Sequence, residues 1–169
     1  KEVEVGMYSL SELTQCMDAV FCVGRLQAQE FVRHFNLDPA KVFIVHNGID
    51  RASYAYNPPL AVREPILVYN STPFRGLEYL LKMFPLIKAK VPKAKLVVMS
   101  GMQIYGVDQA EDYQQFAHIY ELAKQDGVEL LGPLPKAQMA DILKRARVLA
   151  YPNTFVETFC IAALEAQGA

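Results

Sequence analysis

The sequence predicts an α/β fold built on a doubly wound parallel sheet, and three observations carry that expectation. Four short runs are rich in aliphatic residues and almost uninterrupted: ILVY (66–69), KLVVM (95–99), VELL (128–131) and RVLAY (147–151). Continuous runs, unlike alternating ones, suit strands covered on both faces. Segments of helical period lie between the runs. In the second half of the chain, the loops that follow the runs hold most of the unusual polar, Gly and Pro residues: NSTPFRG (70–76), SGMQIYG (100–106), GPLPK (132–136) and PNTFVE (152–157).

Taken in order, residues 1–50 form a short α/β piece of a preceding domain. Ser9 to Met17 reads as a helix, AVFCV (19–23) as a strand, Gln27 to Phe35 as a helix and VFIV (42–45) as a strand. HNGID (46–50) follows, with a turn signal in Asn47-Gly48. Residues 51–65 carry three prolines and no clear period, which marks a linker. The main domain, 66–169, then alternates strand and helix. Leu77, Leu80, Leu81 and Phe84 share one helix face; Tyr113, Phe116, Ala117 and Tyr120 share a second. Met139, Ile142, Leu143 and Ala146 share a third. Pro85 is expected to bend or end the first of these helices, because proline removes a hydrogen bond and clashes one turn back.

Composition narrows the function classes. A hydrophobic content of 52% with 21% charged residues is globular, and no apolar run approaches the roughly 20 residues that span a bilayer. A net charge of −1 argues against nucleic acid or an anionic membrane as the main partner. Cys16, Cys22 and Cys160 are scattered among apolar residues and read as buried small hydrophobes in a reducing compartment. The chain opens on Lys1 and closes inside a helical pattern, so a fragment of a longer, cytoplasmic protein is expected. A peripheral place at the inner membrane face is compatible with that expectation.

Open α/β sheets bind ligands beyond the carboxyl ends of their strands, which places a site in the four loops. Arg75 offers a permanently charged fork suited to phosphate oxygens; the alternative is a solvated arginine at a helix start. Cationic charge at that end of a helix is mildly unfavourable, which favours a purpose. The helix after Glu157 is expected to expose the amides of Phe159, Cys160 and Ile161, and such an end attracts anions. Glu157 and Glu165 stand eight residues apart, about 12 Å along a helix, too far for a shared proton. They could hold two parts of one extended ligand through its hydroxyls, or simply meet the helix dipole and solvent. G-x-G-x-x-G, G-x-x-x-x-G-K-[ST], H-E-x-x-H and C-x-x-C are all absent. His34, His46 and His118 lack neighbours at metal-ligand spacing.

Four ordered stretches carry a family resemblance. They are MDAVFCVGRLQAQEF with KVFIVHNGID, STPFRGLEYLLKMFPLIKAKVPKAKLVV, VELLGPLPKAQMADILKRARVLAYP, and the Glu-x7-Glu run ETFCIAALE. Together they resemble retaining glycosyltransferases of the GT-B architecture, group one, the sucrose-synthase-like family four. The resemblance implies the end of an acceptor domain followed by most of a Rossmann-like donor domain. It implies a hexose moved from a UDP- or GDP-sugar to a glycan, lipid or small acceptor, without a metal or other cofactor. Glu165 would hold ribose hydroxyls and Glu157 the transferred sugar. The amides of Phe159, Cys160 and Ile161 would bind the diphosphate with Arg75, and the loop with Gly132 and Leu134 would lie beside the base. The sequence departs from the family in one place. Many members end the first donor-domain strand on Gly-Arg, whereas this chain has Tyr69-Asn70-Ser71, with Arg75 at a position usually held by lysine. Ser71 and Thr72 are expected to supply donors there. A sugar-nucleotide epimerase or a non-catalytic binding module is the alternative, and the chain alone is expected to be inactive.

Overall fold

A computed structural model of the chain describes residues 4–5, 8–9, 12, 16–55 and 57–169. They fall into two compact units, Lys1–Gly48 with Glu157–Ile161, and Ile49–Val156 with Ala162–Ala169.

In the first unit β1 (Glu4–Val5) pairs antiparallel with β2 (Tyr8–Ser9). β3 (Val20–Cys22) pairs parallel with β4 (Val42–Ile44), joined through α1 (Arg25–Phe35). Asn36 ends α1 in the left-handed region at φ 47°, a conformation asparagine tolerates. Most of the helix expected over 9–17 lies outside the described residues, and Ser9 is a strand residue instead. Asn47-Gly48 makes no turn, and Gly48 does not take a positive φ. Cys16 is exposed, contrary to the expectation of three buried thiols.

The second unit is built on four parallel strands, β5 (Ile66–Tyr69), β6 (Lys95–Val98), β7 (Val128–Leu130) and β8 (Val148–Leu149), in the order β7-β6-β5-β8. Its helices are α2 (Leu77–Lys90), α3 (Gln109–Leu122), α4 (Lys136–Arg145) and, begun by Ile161, α5 (Ile161–Gly168). The alternation of a strand splits the apolar runs of β5 and β6 between two cores. Tyr69, Leu96 and Val98 pack with Leu77, Leu81, Phe84, Ile119 and Tyr120 of α2 and α3. Ile66, Val68, Val97 and Met99 pack with Met139, Ala140 and Leu143 of α4. A sheet covered on both faces is the doubly wound α/β arrangement the sequence predicts. Full burial of each such side chain contributes about 1.5–3 kcal/mol.

Two helices depart from expectation. Proline does not end α2, which continues from Pro85 to Lys90. The carbonyl left without its helical donor is that of Leu81, and the Gln125 side-chain amide donates to it at 3.1 Å. In α3 the backbone leaves helical geometry at Phe116 (φ −112°, ψ 20°), yet the buried residues Asp112, Phe116, Ile119 and Tyr120 keep helical spacing across it. The buried face begins one residue earlier than expected: Asp112 is buried and Tyr113 is exposed.

Gly76 precedes α2 at φ 103°, and a Cβ there would run into the carbonyl oxygen of Pro152. Gly76→Ala therefore combines backbone strain with a clash, and should cost more than about 1 kcal/mol. Urea unfolding of the variant checks this. A change of only a few tenths would contradict the packing described.

Candidate functional site

The chain runs outward from β5 through β6 to β7 and then returns to the other side of β5 as β8. The switch in strand order therefore falls between β5 and β8, and the crevice beyond their carboxyl ends is where such sheets take ligands.

The loop after β5 is pinned from below. The hydroxyl of buried Tyr69 donates to the carbonyl of Thr72 at 2.7 Å, and burial holds its phenol far above the usual range. Ser71 Oγ lies 3.4 Å from the hydroxyl of Tyr151, which follows β8. Asn70 Nδ2 reaches Met139 Sδ of α4 at 3.7 Å. Thr72 and Ser100 are each 3% exposed, and among the described residues Thr72 Oγ1, Ser100 Oγ and Asn70 Oδ1 have no hydrogen-bond partner. Buried polar groups are normally paired, so three such atoms in the loops after β5 and β6 distinguish this edge from the apolar sheet behind it.

Arg75 lies in the turn before α2 and not within the helix. Its guanidinium sits 4.5 Å from the ring centre of Phe155 and 5.5 Å from that of Phe74, with Nη2 3.4 Å from the hydroxyl of Tyr105. Aromatic faces attract such a cation and fix the plane of its fork. The loop after β6 is held by Asp112, which is 4% exposed. Asp112 accepts from Met102 N at 3.2 Å, Gln103 Nε2 at 3.1 Å and Tyr120 Oη at 2.9 Å. Gly132 turns the loop after β7 at φ 70°, and Leu134 packs against the α4 core.

Glu165 is the fifth residue of α5, about one turn inside it, because the helix starts at Ile161. It is 5% exposed, so the solvated alternative does not hold. Lys136 Nζ, on the first residue of α4, donates to Glu165 Oε1 at 2.5 Å. Burial, with the carboxylates of Glu165 and Asp50 nearby, pushes the phenol of Tyr54 up to about 12. Ser71, Thr72, Arg75, Gly132, Leu134 and Glu165 all belong to the second unit.

Glu157, Phe159, Cys160 and Ile161 belong to the first. Phe159 stacks on His46, ring centres 5.3 Å apart. His46 Nδ1 lies 2.9 Å from the carbonyl oxygen of Val23; a carbonyl only accepts, so Nδ1 carries the proton. A Cβ on Gly24 would meet the Thr158 carbonyl oxygen, so the segment passes directly over the start of α1. Phe159 and Cys160 precede the helix, and its first-turn amides begin at Ile161. Among the described residues no group of three or more His, Cys, Asp or Glu side chains gathers as a metal site, and no helix is long and apolar enough to cross a membrane.

Sequence reasoning missed Lys136, Phe155 and Asn70. Lys136 carried a signal, a cation on the first residue of a helix, the same kind of signal that singles out Arg75. Phe155 and Asn70 stand in loops that the strand pattern marks, but nothing in their spacing shows what they touch.

Comparison with known proteins shows the family and the fold. Residues 60–169 match the family model described as glycosyl transferases group 1. The chain is 27% identical, over 96% of its length and 34% of the relative's, to a phosphatidylinositol N-acetylglucosaminyltransferase subunit from Arabidopsis thaliana. It is 26% identical to a D-inositol 3-phosphate glycosyltransferase of Streptomyces scabiei, over 94% of this chain and 38% of that one. The chain thus spans little more than a third of the length of these curated relatives. A glycosyltransferase from Rickettsia africae superposes with a TM-score of 0.67 at 12% identity, over 94% of this chain and 45% of that one. A sucrose-phosphate synthase from Thermosynechococcus elongatus gives 0.66 at 20% identity, over 92% and 40%. Both share the fold, that of GT-B glycosyltransferases.

The raised Tyr54 phenol carries a pH consequence. A phenol protonated in the folded state to about 12, against about 10 when unfolded, adds stability that is complete below about pH 10 and lost as pH rises towards 12. Tyr54→Phe should flatten that alkaline decline. Denaturant unfolding on either side of the window, set against the native chain, tests it.

Proposed function

The chain belongs to the group 1 glycosyl transferases, and from that premise we propose that it is the donor-binding part of a retaining enzyme of the sucrose-synthase-like family. In this reading the parent moves a hexose from a UDP- or GDP-sugar to an acceptor hydroxyl. The domain division expected from sequence goes with it: residues 1–50 close the acceptor-side domain, 51–65 link, and 66–169 bind the donor. The relatives' names point to inositol-bearing acceptors, one a phosphatidylinositol and one an inositol phosphate. We take a polyol of that class, lipid-linked or free, as the acceptor. A lipid-linked acceptor would bring the parent to a membrane surface, with the cytoplasmic face as the expected side.

The observation that carries the reading is the buried carboxylate of Glu165, held on a helix that follows the switch-point strand. An ionised carboxylate accepts without donating, which suits a pair of ribose hydroxyls. Glu157 takes hydroxyls of the transferred sugar. Arg75 and the amides of Phe159, Cys160 and Ile161 meet the diphosphate, with Ser71 and Thr72 supplying hydroxyls where relatives carry a cation. Gly132 and Leu134 lie beside the base. Charge that develops on the leaving diphosphate is met by fixed donors and the guanidinium, so no metal is called for.

The end of β5 on Tyr69-Asn70-Ser71, in place of Gly-Arg, favours a second reading as an epimerase or a module that binds without transfer. Epimerised donor formed without acceptor would support the former.

Calorimetric titration with UDP, GDP and ADP tests the main reading. One diphosphate should bind selectively, and Glu165→Ala should weaken it at least about tenfold, the scale set by hydrogen bonds to a charged group. Unchanged affinity in a variant that melts cooperatively would remove Glu165 from the site.

A further inference from the structure

The first turn of α4 is electrostatically misfitted. Pro135 precedes it without a side-chain cap, no acidic residue lies in the turn, and Lys136 occupies its first position. A cation there opposes the helix dipole. Its amine nevertheless reaches across to α5 and donates to Glu165 Oε1 at 2.5 Å. The two partners are unequal: the lysine side chain is 73% exposed and the glutamate side chain 6%. The pairing answers a buried carboxylate with an ammonium that stays largely in solvent, where a ligand can also reach it. Met139 and Ala140 of α4 share a core with Ala166 of α5 and Ala169 just beyond it. The two helix starts that carry the carboxylate and the ammonium are thus packed side by side, within reach of each other.

We propose that Lys136 and Glu165 form a clamp for a vicinal diol, with Lys136 the residue that sets specificity for ribose over deoxyribose. The inference rests on the reading of Glu165 as the contact to ribose hydroxyls. A carboxylate offers about four acceptor positions, and Lys136 takes one on Oε1. Hydroxyl groups donate to those that remain. Their own oxygens accept from the ammonium, which has three N–H donors. Carboxylate and ammonium together match both faces of a diol's hydrogen bonding, which neither matches alone. A 2′-deoxynucleotide, with one hydroxyl of the pair missing, leaves part of that array unanswered. Lys136 touches the proposed ligand at its ribose and has no part in the bond that breaks.

The test measures affinities for UDP and GDP beside their 2′-deoxy counterparts, in the native chain and in Lys136→Met, Lys136→Arg and Glu165→Ala. The native chain should prefer the ribose form. Lys136→Met should weaken the ribose form about tenfold while the deoxy form changes by less than about twofold. Lys136→Arg should keep most of the preference, and Glu165→Ala should abolish it. Cooperative melting of each variant separates lost binding from lost structure. Full preference in Lys136→Met, abolished only in Glu165→Ala, overturns the role of Lys136 and leaves the reading of Glu165 standing. Equal affinity for both sugars in the native chain, an undiminished preference in Glu165→Ala, or no nucleotide bound, overturns both.

Discussion

Strand β5 has one outlet for polarity, and the second unit is arranged around that constraint. It is hydrogen-bonded to β6 on one edge and β8 on the other. Its side chains enter two separate apolar cores, with Val68 and Tyr69 fully buried. Polar groups can collect only where the strand ends, and there Asn70, Ser71, Thr72 and Arg75 follow in close succession. The same crowding dictates the glycine that follows, because α2 must start against the backbone of Pro152. A parallel sheet buried on both faces thus concentrates reactive side chains at one edge without any residue being selected for that purpose.

Glu165 illustrates the opposite tendency. A carboxylate at 5% exposure is unfavourable unless it is paired and hydrogen-bonded. Its partner is a lysine that could remain wholly solvated, held instead at a helix end that disfavours it. Neither group is where stability alone would put it. Two residues placed against local preference, and in contact with each other, mark a site more strongly than either would alone.

Much of this arrangement was legible in the sequence. The two central strands read clearly because both faces of each are apolar, so ILVY and the LVV of β6 show no polar interruption. Loop placement followed from strand alternation, which put Arg75, Gly132 and residues 152–156 at one edge. What could not be read depended on distant partners. The burial of Glu165 depends on α4, packed beside it from 29 residues away. Asp112, and not Tyr113, opens the buried face of α3, where its carboxylate accepts from Met102, Gln103 and Tyr120; a search for apolar period passes over a buried acid. The start of α5 at Ile161 had no capping residue to announce it. Asn47-Gly48 is a turn signal that the surrounding chain overrides.

The amide of Gln125 replaces, for the carbonyl of Leu81, the donor that Pro85 cannot supply. That replacement has a kinetic meaning. Every other bond inside α2 closes within a single turn, but this one waits for a residue 44 positions later in the chain. The middle of α2 is therefore completed only after β6 and α3 have been laid down and folded back upon it. A long loop must close before its last hydrogen bond forms. On the ribosome, the carbonyl of Leu81 therefore stays with solvent until the segment that follows α3 arrives.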